Sequence, residues 1–276
     1  MGILTVARSK TIGAVRAVAR KVTENSTDLE PEFLNYAAQV RGFTMTSIPR
    51  QYGLYQAVRY VVQNRIEGSF VECGVWRGGS SLLAALTFAG LTDFRELWLY
   101  DTFAGMTPPT EHDAKAGSSA QQAAAYFKET QRSDRSDWCY ASLDDVKGCL
   151  AKANYPDEKI HYVVGDVTQT IPGAAPEQIA ILRLDTDFFD STKHELEHLY
   201  QRLAPGGVLI IDDYGAWEGA RKAVDEYFAA LERPPFLARV DETARIGQKP
   251  WLAAASAYTS SPRDRTEGSK RIASQR

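Results

Sequence analysis

The sequence predicts an α/β fold: a Rossmann-like, mostly parallel sheet with helices on both faces. Three observations carry the prediction. Short apolar runs alternate with amphipathic stretches of helix length, the pattern of strands joined by crossover helices. Two of the runs end abruptly in carboxylates, Ile181-Leu182-Arg183-Leu184-Asp185-Thr186-Asp187 and Leu209-Ile210-Ile211-Asp212-Asp213-Tyr214. A glycine-rich turn, Cys73-Gly74-Val75-Trp76-Arg77-Gly78-Gly79-Ser80, leads from the first run into a helix. Apolar runs bounded by polar residues read as strands buried on both faces. Their carboxylates then stand at the C-terminal strand ends, where open α/β sheets bind ligands.

The elements follow in order. Helical patterning begins near Phe33, and Ile48–Asn64 carries Leu54, Val58, Val61 and Val62 on one stripe. Ser69–Gly74 reads as the first strand and Ser80–Ala89 as its helix. Leu97–Tyr100 is the second strand. Thr107–Ala120, rich in Pro, Thr, Gly and Ser, follows that strand end and reads as a lid. Helices are expected at Ala120–Lys128 and Asp144–Ala153. The third strand is Ile160–Val164 and the fourth Ile179–Leu184. Ser191–Leu203 reads as a helix with Leu196, Leu199 and Leu203 on its stripe. Gly207–Ile211 is the fifth strand and Gly219–Leu231 the next helix. Phe236–Val240 and Ala244–Leu252 suit a terminal antiparallel pair, which makes seven strands.

Composition narrows the class. The 276 residues suit one large domain with extensions, and 44% hydrophobic with 24% charged is ordinary for a globular protein. A net charge of −3 gives no reason to expect nucleic acid as a partner. No apolar run approaches the ~20 residues of a transmembrane helix. Three cysteines with no metal-type pair and no secretory signal point to a reducing, cytoplasmic setting. Residues 1–30 form a basic arm, with Arg8, Lys10, Arg16, Arg20 and Lys21 interleaved with Ile3, Leu4, Val6, Ile12, Val15 and Val18. It reads as a packing arm of a homo-oligomer, or as an amphipathic helix against a membrane or partner. Residues 31–258 form the domain, and 259–276 a polar tail read as disordered.

The chemistry sits at the strand ends. Clustered carboxylates repel one another unless a cation holds them together, and oxygen-only ligands favour Mg²⁺, Ca²⁺ or Mn²⁺. The competing account is helix capping by Asp after each strand. In the glycine-rich turn the spacing is not G-x-G-x-x-G, so a pyrophosphate lacks its cradle. The acid Glu72 would repel phosphate but suits a ligand with a positive amino group. Asp101 ends the second strand, placed to accept hydrogen bonds from ribose hydroxyls. Asp166 follows the third strand and can hold an adenine amino group. Three acids on three successive strand ends favour S-adenosylmethionine over NAD.

These segments resemble the macrocin O-methyltransferase family, metal-dependent sugar O-methyltransferases of natural-product biosynthesis. The matching stretches are Thr44-Met45-Thr46, Phe70 through Gly79, Asp101-Thr102-Phe103-Ala104-Gly105-Met106, and Pro109 through Asp113. They continue with Leu182 through Asp187, Asp190-Ser191-Thr192, and Gly206-Gly207-Val208 through Asp212-Asp213-Tyr214, within about residues 40–255. The resemblance implies the class I methyltransferase sheet with an antiparallel last strand. It implies that Thr44, Met45, Glu72, Gly74, Asp101, Thr102, Phe103 and Asp166 bind S-adenosylmethionine. Asp185, Asp212 and Asp213 would hold Mg²⁺, with Asp185 also the general base. Two departures border the acceptor pocket: Thr186 stands where the family has Gly, and Phe188-Phe189-Asp190 where it has Leu-Tyr-Glu.

The expected reaction is methylation of a sugar hydroxyl, most simply one of a vicinal diol. A catechol-type O-methyltransferase is the nearest alternative, with Phe188, Phe189, Tyr214 and Trp217 as an aromatic slot or as core. An NAD-dependent oxidoreductase lacks its fingerprint, and a non-catalytic scaffold has no use for the carboxylates. His194-Glu195-Leu196-Glu197-His198 satisfies the zinc pattern H-E-x-x-H, but no third ligand is evident, and a solvated helix face is preferred. His112 lies in the lid segment, and His161 is expected to be structural.

Overall fold

Five apolar runs become parallel strands because most of their residues, and all of those in the central strands, are covered on both faces. The computed structural model describes residues 28–251. The strands are β1 (Ser69–Cys73), β2 (Leu97–Asp101), β3 (Ile160–Val164), β4 (Ile179–Leu184) and β5 (Leu203–Ile211). β1 and β4 are buried throughout, whereas β3, at the sheet edge, is only partly covered. A hairpin of β6 (Phe236–Arg239) and β7 (Arg245–Gln248) completes seven strands in the order β3-β2-β1-β4-β5-β7-β6. β7 runs antiparallel to both β5 and β6, as the sequence predicts for the terminal pair.

Helices cover both faces. α1 (Pro31–Val40), α2 (Ile48–Gln63), α3 (Gly79–Gly90) and α5 (Leu143–Leu150) lie on one side. Leu54, Val58, Leu82, Val146 and Leu150 pack there with Phe70, Leu99, Ile181 and Ile210. On the other side α6 (Val167–Thr170), α7 (Phe189–Leu199) and α8 (Glu218–Ala229) bring Val167, Leu196, Leu199, Val224 and Phe228 against Val71, Leu182, Leu209 and Ile211. α4 (Ala120–Thr130) starts at a capping box of Ser119 with Gln122, and α5 at one of Ser142 with Asp145. Each satisfies backbone N–H groups that a helix start leaves free.

Where boundaries differ from expectation the cause is local. The helix predicted to reach Leu203 ends at Leu199 and closes with a 3₁₀ turn, Tyr200–Arg202. Leu203 instead opens β5, four residues before the expected start at Gly207. Ile179 pairs with Leu203 but Ile181 with Val208, so β5 bulges and absorbs Pro205 and Gly206, the latter at φ +77°. The helix expected over Asp144–Ala153 becomes α5 plus a 3₁₀ turn, and the last strand stops at Gln248. α6, capped by Asp166, has no counterpart in the sequence prediction because one turn is too short for periodicity. The basic arm as far as Thr27 and the tail of 259–276 lie outside the described residues.

Candidate active site

Strand register brings the carboxylates together. Tyr100, Cys73, Leu184 and Ile211 lie level across β2, β1, β4 and β5. The next residues outward are therefore Asp101, Gly74, Asp185 and Asp212. The strand order reverses between β1 and β4, which is where crossovers diverge and leave a crevice. A cavity of ≈ 1060 Å³, open to solvent, occupies it. Thr44, Met45, Glu72, Gly74, Asp101, Thr102, Asp166, Asp185, Asp212 and Asp213 all line it. Phe103 does not: its side chain is buried in the core, and only its backbone N–H takes part, donating to Asp101.

Two glycines make the crevice narrow. Gly74 sits at φ +83°, and a Cβ there would fall 1.9 Å from the Asp185 carbonyl oxygen. Gly79 donates its N–H to the Phe43 carbonyl at 3.0 Å, and a Cβ would fall 2.5 Å from that residue's backbone. The segment Phe43–Thr46 thus crosses the start of α3 as a strap, placing Thr44 and Met45 over the cavity. Met45 is 63% exposed, an apolar side chain at the rim.

The acids at the β1–β3 side serve the scaffold as well. Asp101 accepts the backbone N–H groups of Val75 (2.7 Å), Trp76 (2.9 Å) and Phe103 (2.8 Å), clamping both neighbouring loops. Asp166 accepts from Thr168 N–H at 2.8 Å and caps α6. Glu72 is buried, with one oxygen taken by Ser81 Oγ and the other by Arg183 Nη1 at 2.6 Å. Burial pushes the Glu72 and Asp101 carboxyls above their usual range.

Between β4 and β5 the carboxylates form one cluster. Ligand oxygens of Asp185, Asp212 and Asp213 all lie within 4.8 Å of one another. Arg183, 2% exposed, binds Glu72, Asp185 Oδ2 at 2.6 Å and Asp212 Oδ1 at 2.8 Å. Arg50, in the first turn of α2, donates to Asp212 Oδ2. Asp213 is 8% exposed, and its Oδ2 is buried without a partner. Burial, with the charges of the neighbouring aspartates, pushes Asp185 and Asp213 well above the carboxylate range. Asp187, on the same wall at φ +66°, is pushed up to about 7, chiefly by burial. An orphaned buried carboxylate oxygen beside two more carboxylates fits a hard divalent cation. The donor set is all oxygen, which suits Mg²⁺ and not zinc.

Sequence reasoning missed four residues. Arg183 had a signal, since a charge inside an otherwise apolar strand needs a buried partner. Arg50 had none, because its partner is 162 positions away. Cys139, at φ +52°, lines the cavity, and burial with the charge of Asp187 pushes its thiol up to about 12. Glu195 is fully buried beneath Thr186 and accepts that hydroxyl at 3.0 Å.

Other expectations resolve as follows. His194 and His198 are half-buried rather than on a solvated face; His194 Nε2 contacts the Ile171 carbonyl at 2.9 Å, and the two ring centroids lie 4.3 Å apart with their planes tilted at 53°. Glu195 points elsewhere, a third of a turn round α7, so H-E-x-x-H gathers no site. Among the described residues the one group with metal-ligand geometry is the aspartate cluster. His161 is structural, stacked on Trp98 at 4.3 Å and paired with Glu96. Phe188 and Trp217 are buried against one another and Trp138, and Phe189 is buried beside His112; none of these, nor Tyr214, lines the cavity. The expected lid is pinned. Asp113, fully buried, accepts Thr110 N–H and the Phe189 N–H at the start of α7, each at 2.7 Å. His112 packs edge-on against Phe189.

A family model described as macrocin-O-methyltransferase matches residues 13–249. The chain belongs to the macrocin O-methyltransferase family. It is an O-methyltransferase, and its seven-stranded sheet is the class I methyltransferase fold. One relative is the 8-demethyl-8-(2,3-dimethoxy-alpha-L-rhamnosyl)-tetracenomycin-C 4'-O-methyltransferase of Streptomyces olivaceus, 32% identical over 207 residues, 75% of each chain. Another is the demethyldecarbamoylnovobiocin O-methyltransferase of Streptomyces niveus, 31% identical over 208 residues, again 75% of each. The solved structure of the O-methyltransferase NovP superposes with a TM-score of 0.64 at 29% identity, covering 75% of this chain and 82% of that one. Family membership removes the oxidoreductase and scaffold alternatives.

Proposed function

We propose that this enzyme transfers the methyl group of S-adenosylmethionine to a sugar hydroxyl that has a second oxygen beside it. The observation that carries the reading is the aspartate cluster, with its orphaned Asp213 Oδ2, in the same cavity as Glu72, Gly74, Asp101 and Asp166. The name of the tetracenomycin relative, with its rhamnosyl group, supports a sugar acceptor. The four aromatics that suited a flat catechol lie off the cavity, which favours the sugar over the catechol.

Asp185, Asp212 and Asp213 would hold the divalent cation, whose chemistry is that of a Lewis acid lowering the pKa of an acceptor hydroxyl. Asp185 takes the proton of that hydroxyl; at 28% side-chain exposure it is the most accessible of the three. The sulfonium methyl is already activated, so the protein's main contribution is alignment of the two substrates. The strap of Thr44 and Met45 and the acids Asp101 and Asp166 would hold the donor, while Thr102 lines its pocket. Three free cysteines suit a reducing, cytoplasmic setting, and a homo-oligomer remains the expected assembly. No helix among the described residues is long and apolar enough to cross a membrane.

Isothermal titration with S-adenosylmethionine, followed by turnover on glycosides bearing vicinal diols with Mg²⁺ or EDTA, tests the reading. Micromolar donor binding and turnover abolished by EDTA are expected. Full turnover in EDTA removes the cation, and no donor binding removes the cofactor.

A further inference from the structure

The carboxylate cluster is balanced by two guanidiniums of unequal freedom. Arg183 is locked within β4, its side chain 3% exposed and shared among three carboxylates. Arg50 stands on the cavity wall with its side chain 17% exposed. Its Nη1 donates to Asp212 Oδ2, and its Nε lies 3.0 Å from Asp241 Oδ2. Asp241 belongs to the turn between β6 and β7 and is off the cavity. It is fixed by Ser47 Oγ at 2.6 Å and by the backbone N–H groups of Thr243 and Ala244 at 2.9 Å each. With Arg183 on Oδ1 and Arg50 on Oδ2, both oxygens of Asp212 are engaged.

We propose that Arg50 is the displaceable counter-ion of the cation site. It holds the Asp212 oxygen in the cation-free protein, yields it to a divalent cation, and falls back on Asp241. The inference rests on the divalent-cation reading of Asp185, Asp212 and Asp213. The physical case is one of charge and mobility. A guanidinium beside a carboxylate opposes a second positive charge there, strongly where water is partly excluded. Arg183 also pairs outside the cluster, with Glu72, but its side chain is only 3% exposed and both groups are buried, so it has nowhere to move, whereas Arg50 faces the cavity and already touches Asp241. Asp241 therefore lowers the cost of moving Arg50, since its charge never goes unpaired. Ser47 caps α2 and ends the strap carrying Thr44 and Met45, and it shares Asp241 with Arg50. Cation loading is thereby linked to the residues over the donor pocket.

The test is Mn²⁺ binding to the full chain without S-adenosylmethionine, read from the electron paramagnetic resonance signal of free Mn²⁺. R50Q should bind Mn²⁺ about tenfold tighter than the parent, whereas R50K, which keeps the charge, should stay close to it. D241N should bind several-fold more weakly, because Arg50 loses its alternative partner. In the R50Q background D241N should change little further, as expected if Asp241 acts through Arg50. General loosening of the site would weaken both R50Q and D241N, so opposite signs exclude it; melting temperatures of all four variants confirm folding. R50Q binding no tighter than the parent overturns the proposal while leaving the cation reading standing. Absence of Mn²⁺ binding by parent and R50Q alike overturns both.

Discussion

Replacing Arg183 by Met tests how the buried charges are held. The substitution keeps most of the volume and removes the charge. It takes 2.6 Å bonds from Glu72 and Asp185 and a 2.8 Å bond from Asp212, leaving Glu72 with Ser81 alone. Breaking one side of a buried pair costs about 3–5 kcal/mol, because the partner charge stays behind unpaired. A domain holds about 5–15 kcal/mol in all, so the variant should fold but with much of its margin gone. The pH dependence follows from the carboxylates. Burial already raises Glu72 and Asp185 above their unfolded values, and loss of the guanidinium raises them further. A carboxyl whose folded pKa is raised binds its proton more tightly when folded, so stability falls as pH climbs from the unfolded to the folded value. The deficit of R183M against the parent should therefore be larger at about pH 8 than at about pH 5. Urea unfolding followed by circular dichroism at both pH values measures it. A deficit below about 1 kcal/mol, or one that grows toward acid, refutes the reasoning.

Asp185→Asn should abolish turnover yet leave the titration with S-adenosylmethionine within a few-fold of the parent; an active Asn variant removes Asp185 as base. Gly74→Ala should cost at least about 3 kcal/mol, from the left-handed backbone and the overlap with the Asp185 carbonyl, seen as a large drop in melting temperature. An unchanged melting temperature means that the crevice is wider than described. Asp113→Ala should cost about 1–3 kcal/mol and speed proteolysis within residues 107–116, because Thr110 and Phe189 lose their acceptor. Equal cleavage rates in both proteins mean that the segment is held by something else.

The fold was readable because its signals are local. β3 and β4 match their apolar runs end to end, and the carboxylates sit where those runs stop. Ten of the eleven named site residues line the cavity, since a parallel sheet aligns strand ends and their neighbours come with them. Phe103 fails for a reason sequence does not show: at φ +50° its backbone faces Asp101 and its ring turns into the core. Arg50 and Asp241 were invisible because their contacts join α2 to the β6–β7 turn, a distance in sequence that no pattern spans. H-E-x-x-H was legible as a spacing and misleading as a site, because helix geometry puts His194 and His198 together and turns Glu195 away.

Thr186 shows how the loop after β4 is held. A glycine between the two acids of the β4 motif would leave that loop free, and a threonine there brings a hydroxyl that must be satisfied. Glu195 rises from α7 to accept it, at 0% exposure, and burial pushes the Glu195 carboxyl well above its usual range, which favours the neutral acid. The price of the threonine is thus met by a side chain outside the cavity, and its return is rigidity. Thr186 is held from below while Asp185 is held by Arg183 and Asp187 adopts its left-handed turn against Asp213. The acids proposed to meet an acceptor hydroxyl would therefore be set before any substrate arrives, which is where a reaction limited by alignment gains most.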